Sequence, residues 1–247
     1  MSQLLDTHCH LDAYPDPLGT LAAAGREGVH VVAVTDNPDA YRRLRTRLGR
    51  TAGVTVALGL HPASRAAAAD GQLGRFFRML PEARWIGEVG LDFQPGTGKA
   101  ERQRQHAAFD ALLGHDQVKS KLLTVHSRGA ARETVAALAA AGCPAVLHWY
   151  MGSAGTADDA LAAGLWFSVN TAMTRSPRGR ALIAHVPRER VLCETDGPYC
   201  RSGNRPAEPA DVAAVARALA RLWHADPTDA ALTLAANAAA FAGNATP

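Results

Sequence analysis

The sequence predicts an α/β chain folded as one (β/α)8 TIM-like barrel over residues 1–247, and three observations predict it. Short β-branched or apolar runs alternate eight times with Ala-, Leu- and Arg-rich stretches of helical spacing, the pattern of parallel strands covered by helices. Eight such units in 247 residues allow about 31 residues each, near the minimum for a βα repeat. The first run ends in Thr7-His8-Cys9-His10, where an open doubly wound sheet usually carries a Gly-rich phosphate loop.

The strands are expected over Leu4–His10, Val29–Thr35, Val54–Leu60, Arg84–Val89, Lys121–His126, Ala145–Trp149, Leu165–Val169 and Val191–Thr195. Helical spacing marks Pro17–Gly25, Pro38–Leu48, Arg102–Leu113, Ala130–Ala141, Thr156–Ala163 and Pro209–Trp223, with another helix near the C-terminus. Neither a Walker pattern, a GxGxxG opening a helix nor a GxSxG elbow is present. No linker or low-complexity tract divides the chain.

Composition narrows the class. At 47% hydrophobic and 20% charged residues, the chain is neither wholly disordered nor collagen-like. Lys plus Arg number 26 against 23 Asp plus Glu, and a net +3 neither announces nor forbids a nucleic-acid partner. No apolar run reaches the ~18 residues of a membrane helix, and Met1–Asp6 lacks the basic and apolar regions of a secretory signal. Cys9, Cys143, Cys193 and Cys200 form no CxxC pair. Cys9, flanked by two histidines, is expected to face away from them on its strand. Reduced cysteines and a cytoplasmic location are the expectation.

Ionisable residues collect at one station. His8, His10, His61, His126 and His148 fall at or just past the C-terminal ends of expected strands, as do Glu88 and Asp196. In a barrel that end carries the active site. His30, His106, His115, His185 and His224 are expected on solvated surface. His8 and His10, at i and i+2 of a strand, share a face and are placed to share a metal. An HxH pair alone is equally the mark of a local hydrogen-bonding cluster. The His, Glu and Asp that follow at successive strand ends favour metal. Six ligands exceed what one zinc needs and suit two ions sharing a carboxylate. His8, His10 and Asp196 are assigned to the first ion, His126 and His148 to the second, with Glu88 bridging. Two ions about 3.5–4 Å apart would hold a hydroxide between them, lowering the pKa of water from about 16 towards 7. Asp196 is the candidate base. The His-rich set suits zinc or manganese better than magnesium, which prefers oxygen ligands.

At these residues the chain resembles the TatD family of metal-dependent hydrolases, within the amidohydrolase-like superfamily. The motifs are Asp6-Thr7-His8-Cys9-His10-Leu11-Asp12, Gly59-Leu60-His61-Pro62, Gly87-Glu88-Val89-Gly90-Leu91-Asp92, His126-Ser127-Arg128 and Glu194-Thr195-Asp196-Gly197-Pro198. They follow family order from residue 6 to about 210, across nearly the whole chain. The resemblance implies DNA hydrolysis, often as a 3′ exonuclease on single strands, with divalent metals. It places metal ligands at His8, His10, Glu88, His126, His148 and Asp196. Related barrels often bridge their metals with a carboxylated Lys; here a Glu stands instead. Departures fall at His148-Trp149-Tyr150-Met151-Gly152, where the family commonly has His-Cys-Phe-Ser-Gly, at Trp166–Met173, and at Gly203–Pro209, where it often has Arg-Asn-Glu-Pro. These are most similar to the TatD-type nucleases, QatD, of Qat anti-phage defence systems, which implies defence-system protein partners.

Several groups are candidates to hold a nucleic acid. Arg128, two residues past His126, carries a fork suited to phosphate. His61 and Asp92 are placed for phosphate, water or a third metal. Trp149 and Tyr150 flank a ligand, either to stack on a base or to pack beneath the loop. Arg42, Arg43, Arg45, Arg47 and Arg50 form a basic helix face, usually a solvated one, whereas Arg175, Arg178 and Arg180 follow strand seven at the site face. The leading expectation is a two-metal phosphodiesterase acting on DNA. The alternatives are a hydrolase of another ester or amide, such as an aminoacyl ester on tRNA, and a non-catalytic scaffold in a defence complex.

Overall fold

The eight strands that the alternation predicts are present: β1 (Leu4–Cys9), β2 (Val29–Ala33), β3 (Val54–Val56), β4 (Trp85–Gly90), β5 (Leu122–His126), β6 (Ala145–Leu147), β7 (Trp166–Val169) and β8 (Val191–Cys193). The structure, a computed structural model, describes residues 4–244, so three residues at each end of the expected 1–247 barrel lie outside the described residues. All paired neighbours among these strands are parallel, in the order β3-β2-β1-β8-β7-β6-β5-β4. The ring closes between its outer strands through a parallel bridge of Leu58 to Ile86. Three backbone bonds secure that seam: Leu58 N–H to Trp85, Gly87 N–H to Leu58 and Leu60 N–H to Glu88, at 2.9–3.0 Å. At Gly59 a Cβ would fall 1.4 Å from the Thr35 carbonyl oxygen, so glycine alone lets the backbones converge there.

The outer layer among the described residues is α1 (Pro17–Arg26), α2 (Pro38–Leu48), α3 (Arg65–Ala68), α4 (Gln72–Met79), α5 (Lys99–Leu113), α6 (Ala131–Ala141), α7 (Ala154–Ala162), α8 (Thr171–Arg175), α9 (Pro177–His185), α10 (Val212–Leu222) and α11 (Pro227–Ala242). The expected helices match within three residues, except that the start of Pro209–Trp223 is a 3₁₀ turn over Pro209–Asp211. Local chemistry sets several starts. Asp16, Asn37, Ser153 and Asp226 each accept a backbone N–H of the first turn, and proline occupies the first turn after three of them.

Two apolar clusters lie either side of the barrel wall. The larger joins strand residues to the helices. The smaller fills the interior with Val32, Val34, Ala57, Trp85, Leu122, Val146, Trp166 and Leu192, and Phe241 of α11 packs edge-on against Trp85 from below. Strand periodicity then sorts the interior into layers. Above Leu122 stands Thr124, above Trp166 stands Ser168, and above Leu192 stands Glu194, all buried. The site residues occupy the level above these.

Several strands leave their ladder before the expected end. Strand β6 stops at Leu147 and β8 at Cys193, so His148 and Asp196 stand on the loops just beyond. Trp149 and Asp196 have φ of +38° and +48°, a conformation Asp tolerates better than Trp. At Gly90, φ is +133° and a Cβ would lie 2.1 Å from the His126 carbonyl oxygen, so glycine lets β4 and β5 approach closely beneath His126.

Candidate metal centre

Glu88, at the end of β4 and 2% exposed, is the hub. Its Oε2 lies 3.4 Å from His8 Nε2, 3.2 Å from His10 Nε2 and 3.4 Å from His61 Nε2. Its Oε1 lies 2.5 Å from His126 Nδ1 and 3.4 Å from His148 Nε2. Asp196 completes one side, its Oδ1 3.8 Å from His8 Nε2 and 3.6 Å from His10 Nε2. One carboxylate oxygen thus faces the His8, His10 and Asp196 set, and the other faces the His126 and His148 set.

Each of these four imidazoles has its second nitrogen against a protein oxygen. His8 Nδ1 lies 2.7 Å from Thr124 Oγ1, His10 Nδ1 3.8 Å from Asp36, His126 Nε2 2.9 Å from Asp92, and His148 Nδ1 3.3 Å from Glu194. At His126 and His148 the outward carboxylate fixes which nitrogen keeps its proton, so that the inward nitrogen can give its lone pair to a cation. The inward Nε2 of His8 is fully buried and has no hydrogen-bond partner, a costly arrangement unless something binds it. Donor atoms of His8, His10 and Glu88 lie within 4.8 Å of one another. The donor set therefore fits divalent metal.

The charges agree with this geometry. Burial opposes ionisation of Glu88, but His61, His126, His8 and His10 together hold its pKa well below the usual value. Burial lifts Asp196 to about 7, against the pull of His148 and His10. His8 is driven well below the ordinary imidazole value, by burial first and by His148 next, whose ring stacks on it at 3.8 Å. Burial also disfavours the charge on His148, yet Glu194 and Glu88 carry its pKa well above the usual.

Buried carboxylates anchor the frame. Asp6 accepts the His8 and Thr195 backbone N–H groups and the Thr195 hydroxyl, tying β1 to the loop that carries Asp196. Burial pushes its pKa to about 8. Glu194 is fully buried and accepts four donors: Trp149 N–H, Asn170 Nδ2, Ser168 Oγ and His148 Nδ1.

The remaining expected site residues divide. His61 joins the hub, but its Nδ1 accepts the Ala63 backbone N–H at 3.1 Å, so the neutral ring carries its proton on Nε2 and presents a donor. Asp92 is buried and taken up by His126 and by both nitrogens of Gln94, so it orients His126. Tyr150 is corrected. It is fully buried, edge-on to Phe167, with its hydroxyl on the Ser153 carbonyl, and no base can reach it. Trp149 is half-buried against the core, its backbone N–H on Glu194. Arg128 is exposed on the loop after β5 and pairs with no carboxylate among the described residues. The arginines of α2 are exposed, with Arg42 on Asp39 and Arg45 on Glu82. Cys9 is buried with Sγ 3.5 Å from the Gly197 carbonyl oxygen, and all four cysteines are unpaired. Of the histidines expected on solvated surface, three are half-buried instead, against Thr55 (His30), Phe93 (His106) and Phe77 (His115).

Thr124, Asp36 and Glu194 were not among the expected site residues. Glu194 had a signal: it lies two residues before Asp196, the spacing that singled out His8 and His10.

Comparison with known proteins agrees with this centre. Residues 5–243 match the family of TatD related DNases. The chain is 30% identical over 253 aligned positions, 95% of its length and 96% of the relative's, to an uncharacterised metal-dependent hydrolase TatD of Mycobacterium tuberculosis. It is 37% identical over 120 residues, 46% of the chain and 45% of the relative, to the 3′-5′ ssDNA/RNA exonuclease TatD of Pectobacterium atrosepticum. The crystal structure of the TatD homologue YJJV of Escherichia coli superposes with a TM-score of 0.85 at 25% identity, covering 97% of this chain and 98% of that one.

Proposed function

The chain belongs to the TatD-related DNase family, and from that premise we propose that it is a metal-dependent deoxyribonuclease that removes nucleotides from the 3′ end of single-stranded DNA. The observation that carries the reading is the division of Glu88: one oxygen serves His8, His10 and Asp196, the other His126 and His148. These six residues would hold two divalent ions. Zinc or manganese suits four imidazoles better than magnesium does. When bound, such ions supply a nucleophile at neutral pH by lowering the pKa of water, and they polarise a phosphate oxygen.

The protein's own groups then act as follows. Asp196, lifted towards neutrality by burial and set beside His8 and His10, takes a proton. His61 donates from Nε2 to a phosphate oxygen; as a donor it is no ligand, and the third ion expected at His61 and Asp92 is not part of this reading. Arg128 holds a non-bridging oxygen pair with its fork. Asp92, Glu194, Thr124 and Asp36 hold the imidazoles in place.

The exonuclease activity printed for the Pectobacterium relative supports the single-stranded substrate and the polarity. The departures at His148–Gly152 and Gly203–Pro209 support a place among the Qat defence nucleases, with defence-system proteins as partners. Four unpaired cysteines fit a reducing cytoplasm, and no helix among the described residues is long and apolar enough to cross a membrane.

The test uses metal-stripped protein reloaded with zinc, manganese or magnesium. Substrates are single-stranded DNA labelled at either end and, beside it, an aminoacyl-tRNA. Stepwise shortening from the 3′ end is expected, restored best by zinc or manganese. Inert DNA with a cleaved aminoacyl ester would overturn the proposal.

A further inference from the structure

Tyr199 stands at the mouth of the barrel, in the loop after β8, three residues past Asp196. It is 65% exposed, and the other large apolar side chains as open among the described residues are Leu18 and Leu232, on helices α1 and α11. The ring is not loose on the surface. Its centroid lies 4.8 Å from that of His10, with the planes at 78°, so it is braced against a residue of the metal centre. That contact leaves much of the ring open to solvent beside the place where a phosphate would be held. An aromatic braced on one side and bare on the other is a stacking surface, and stacking tolerates every base because each has a π-face.

Carboxylates stand on one side of it. His10, which braces the ring, also faces Asp36 at 3.8 Å, and Asp12 is exposed two residues beyond His10. In the segments that follow β5, β7 and β8 stand Arg128, Arg175, Arg178 and Arg201, all exposed and none paired with a carboxylate among the described residues. Arg178 reaches the Gly152 carbonyl after β6, so it sits at the rim. A phosphate backbone is drawn along the arginine side and repelled from the Asp12 and Asp36 side.

We propose that Tyr199 is the stacking platform for the base of the strand's terminal nucleotide, with the rest of the strand leaving across the arginine rim. This rests on the DNA reading above and deepens it: the Asp12 and Asp36 carboxylates beyond Tyr199 disfavour a continuing backbone there, which suits a terminal cut.

The test compares Tyr199→Ala and Tyr199→Trp with the unaltered protein, each loaded with the same metal. The substrates are two single-stranded oligonucleotides differing only in the residue at the attacked end, one with a normal base and one abasic. Tyr199→Ala is expected to lower kcat/KM about 10–100-fold on the normal end, the range that losing one stacked base implies. It should leave the abasic substrate within about twofold of the unaltered protein, with metal content the same. Tyr199→Trp should restore cleavage of the normal end. An equal loss on both substrates, or a loss of metal with the Ala variant, would make Tyr199 a brace for His10 and overturn the proposal. So would full activity of the Ala variant on the normal end, and in each of these cases the DNase reading stands. Unaltered, metal-loaded protein that cleaves neither oligonucleotide would fell the DNase reading itself, and this inference with it.

Discussion

Replacing Glu194 by Gln tests the centre through a residue that touches no substrate. Its two oxygens are not interchangeable. Oε1 accepts the Trp149 N–H at 3.0 Å and Asn170 Nδ2 at 2.9 Å. Neither of those donors can reverse, because one is a backbone amide and Asn170 Oδ1 is committed to the Ala172 and Met173 N–H groups. The Gln carbonyl must therefore take the Oε1 position, and its amide nitrogen must take Oε2, facing Ser168 Oγ and His148 Nδ1. The Ser168 hydroxyl turns to accept. His148 has to offer Nδ1 as an acceptor, which moves its proton to Nε2, the nitrogen that faces Glu88 at 3.4 Å. A protonated Nε2 cannot bind a cation. The lost contact is a hydrogen bond to a charged acceptor, about 1.5–3 kcal/mol, so affinity for a cation at His126 and His148 should fall about 10–100-fold. Folding should change little, about 1 kcal/mol, because the other three donors keep partners. Glu194→Ala, which strands all four, should destabilise the protein far more. The assay is zinc titration in a chelator buffer with thermal unfolding on the same samples. Two unchanged affinities in well-folded Glu194→Gln would refute the claim that Glu194 sets the His148 tautomer.

Three further outcomes are expected. Asp196→Asn should keep the fold and much of the metal while lowering turnover about 10²–10⁴-fold; near-normal kcat in single-turnover assays would remove Asp196 from the proton-transfer role. Arg128→Ala should weaken cleavage of single-stranded DNA with metal content unchanged, and Arg128→Lys should recover only part, since the charge returns without the fork; cleavage at two salt concentrations checks this, and normal rates for both variants would show that phosphate is held elsewhere. Metal binding should release protons. Burial resists charge on His148, His10 and His126, but Glu194 or Glu88 raises all three pKa values in the metal-free protein. Those protons must leave when a cation arrives, so affinity falls as pH drops from about 8 to 6. Calorimetry in two buffers of different ionisation enthalpy measures the release, and none over that range would contradict the charge states described.

The fold and the inner face of the site were legible because both follow from short-range periodicity. Strand runs of period two, alternating with helical spacing, define the barrel, and ionisable residues at the ends of those runs define its mouth. The shortfall has two physical sources. One is the point where a strand leaves its ladder. Tyr150 was a candidate stacking residue only for its nearness to His148, yet β6 ends at Leu147, Trp149 turns at φ +38°, and the chain drives Tyr150 into the core beside Phe167. Alternation has no force past that turn. The other source is distance along the chain. Thr124 meets His8 across 116 residues, and Asp92 meets His126 across 34. A carboxylate that orients a histidine and one that contacts a phosphate are the same residue type at the same kind of loop. Only the direction of a histidine's second nitrogen separates them. That direction is a property of the closed ring, which brings the ends of non-adjacent strands to within hydrogen-bond reach. The inward nitrogens could therefore be read strand by strand, but two of their outward partners join strands that are not neighbours: Thr124 of β5 meets His8 of β1, and Glu194 past β8 meets His148 past β6. His61 differs from the other four imidazoles for a local reason: its Nδ1 is satisfied within its own loop by Ala63, two residues away, so its proton is fixed on the inward side and it faces the centre as a donor.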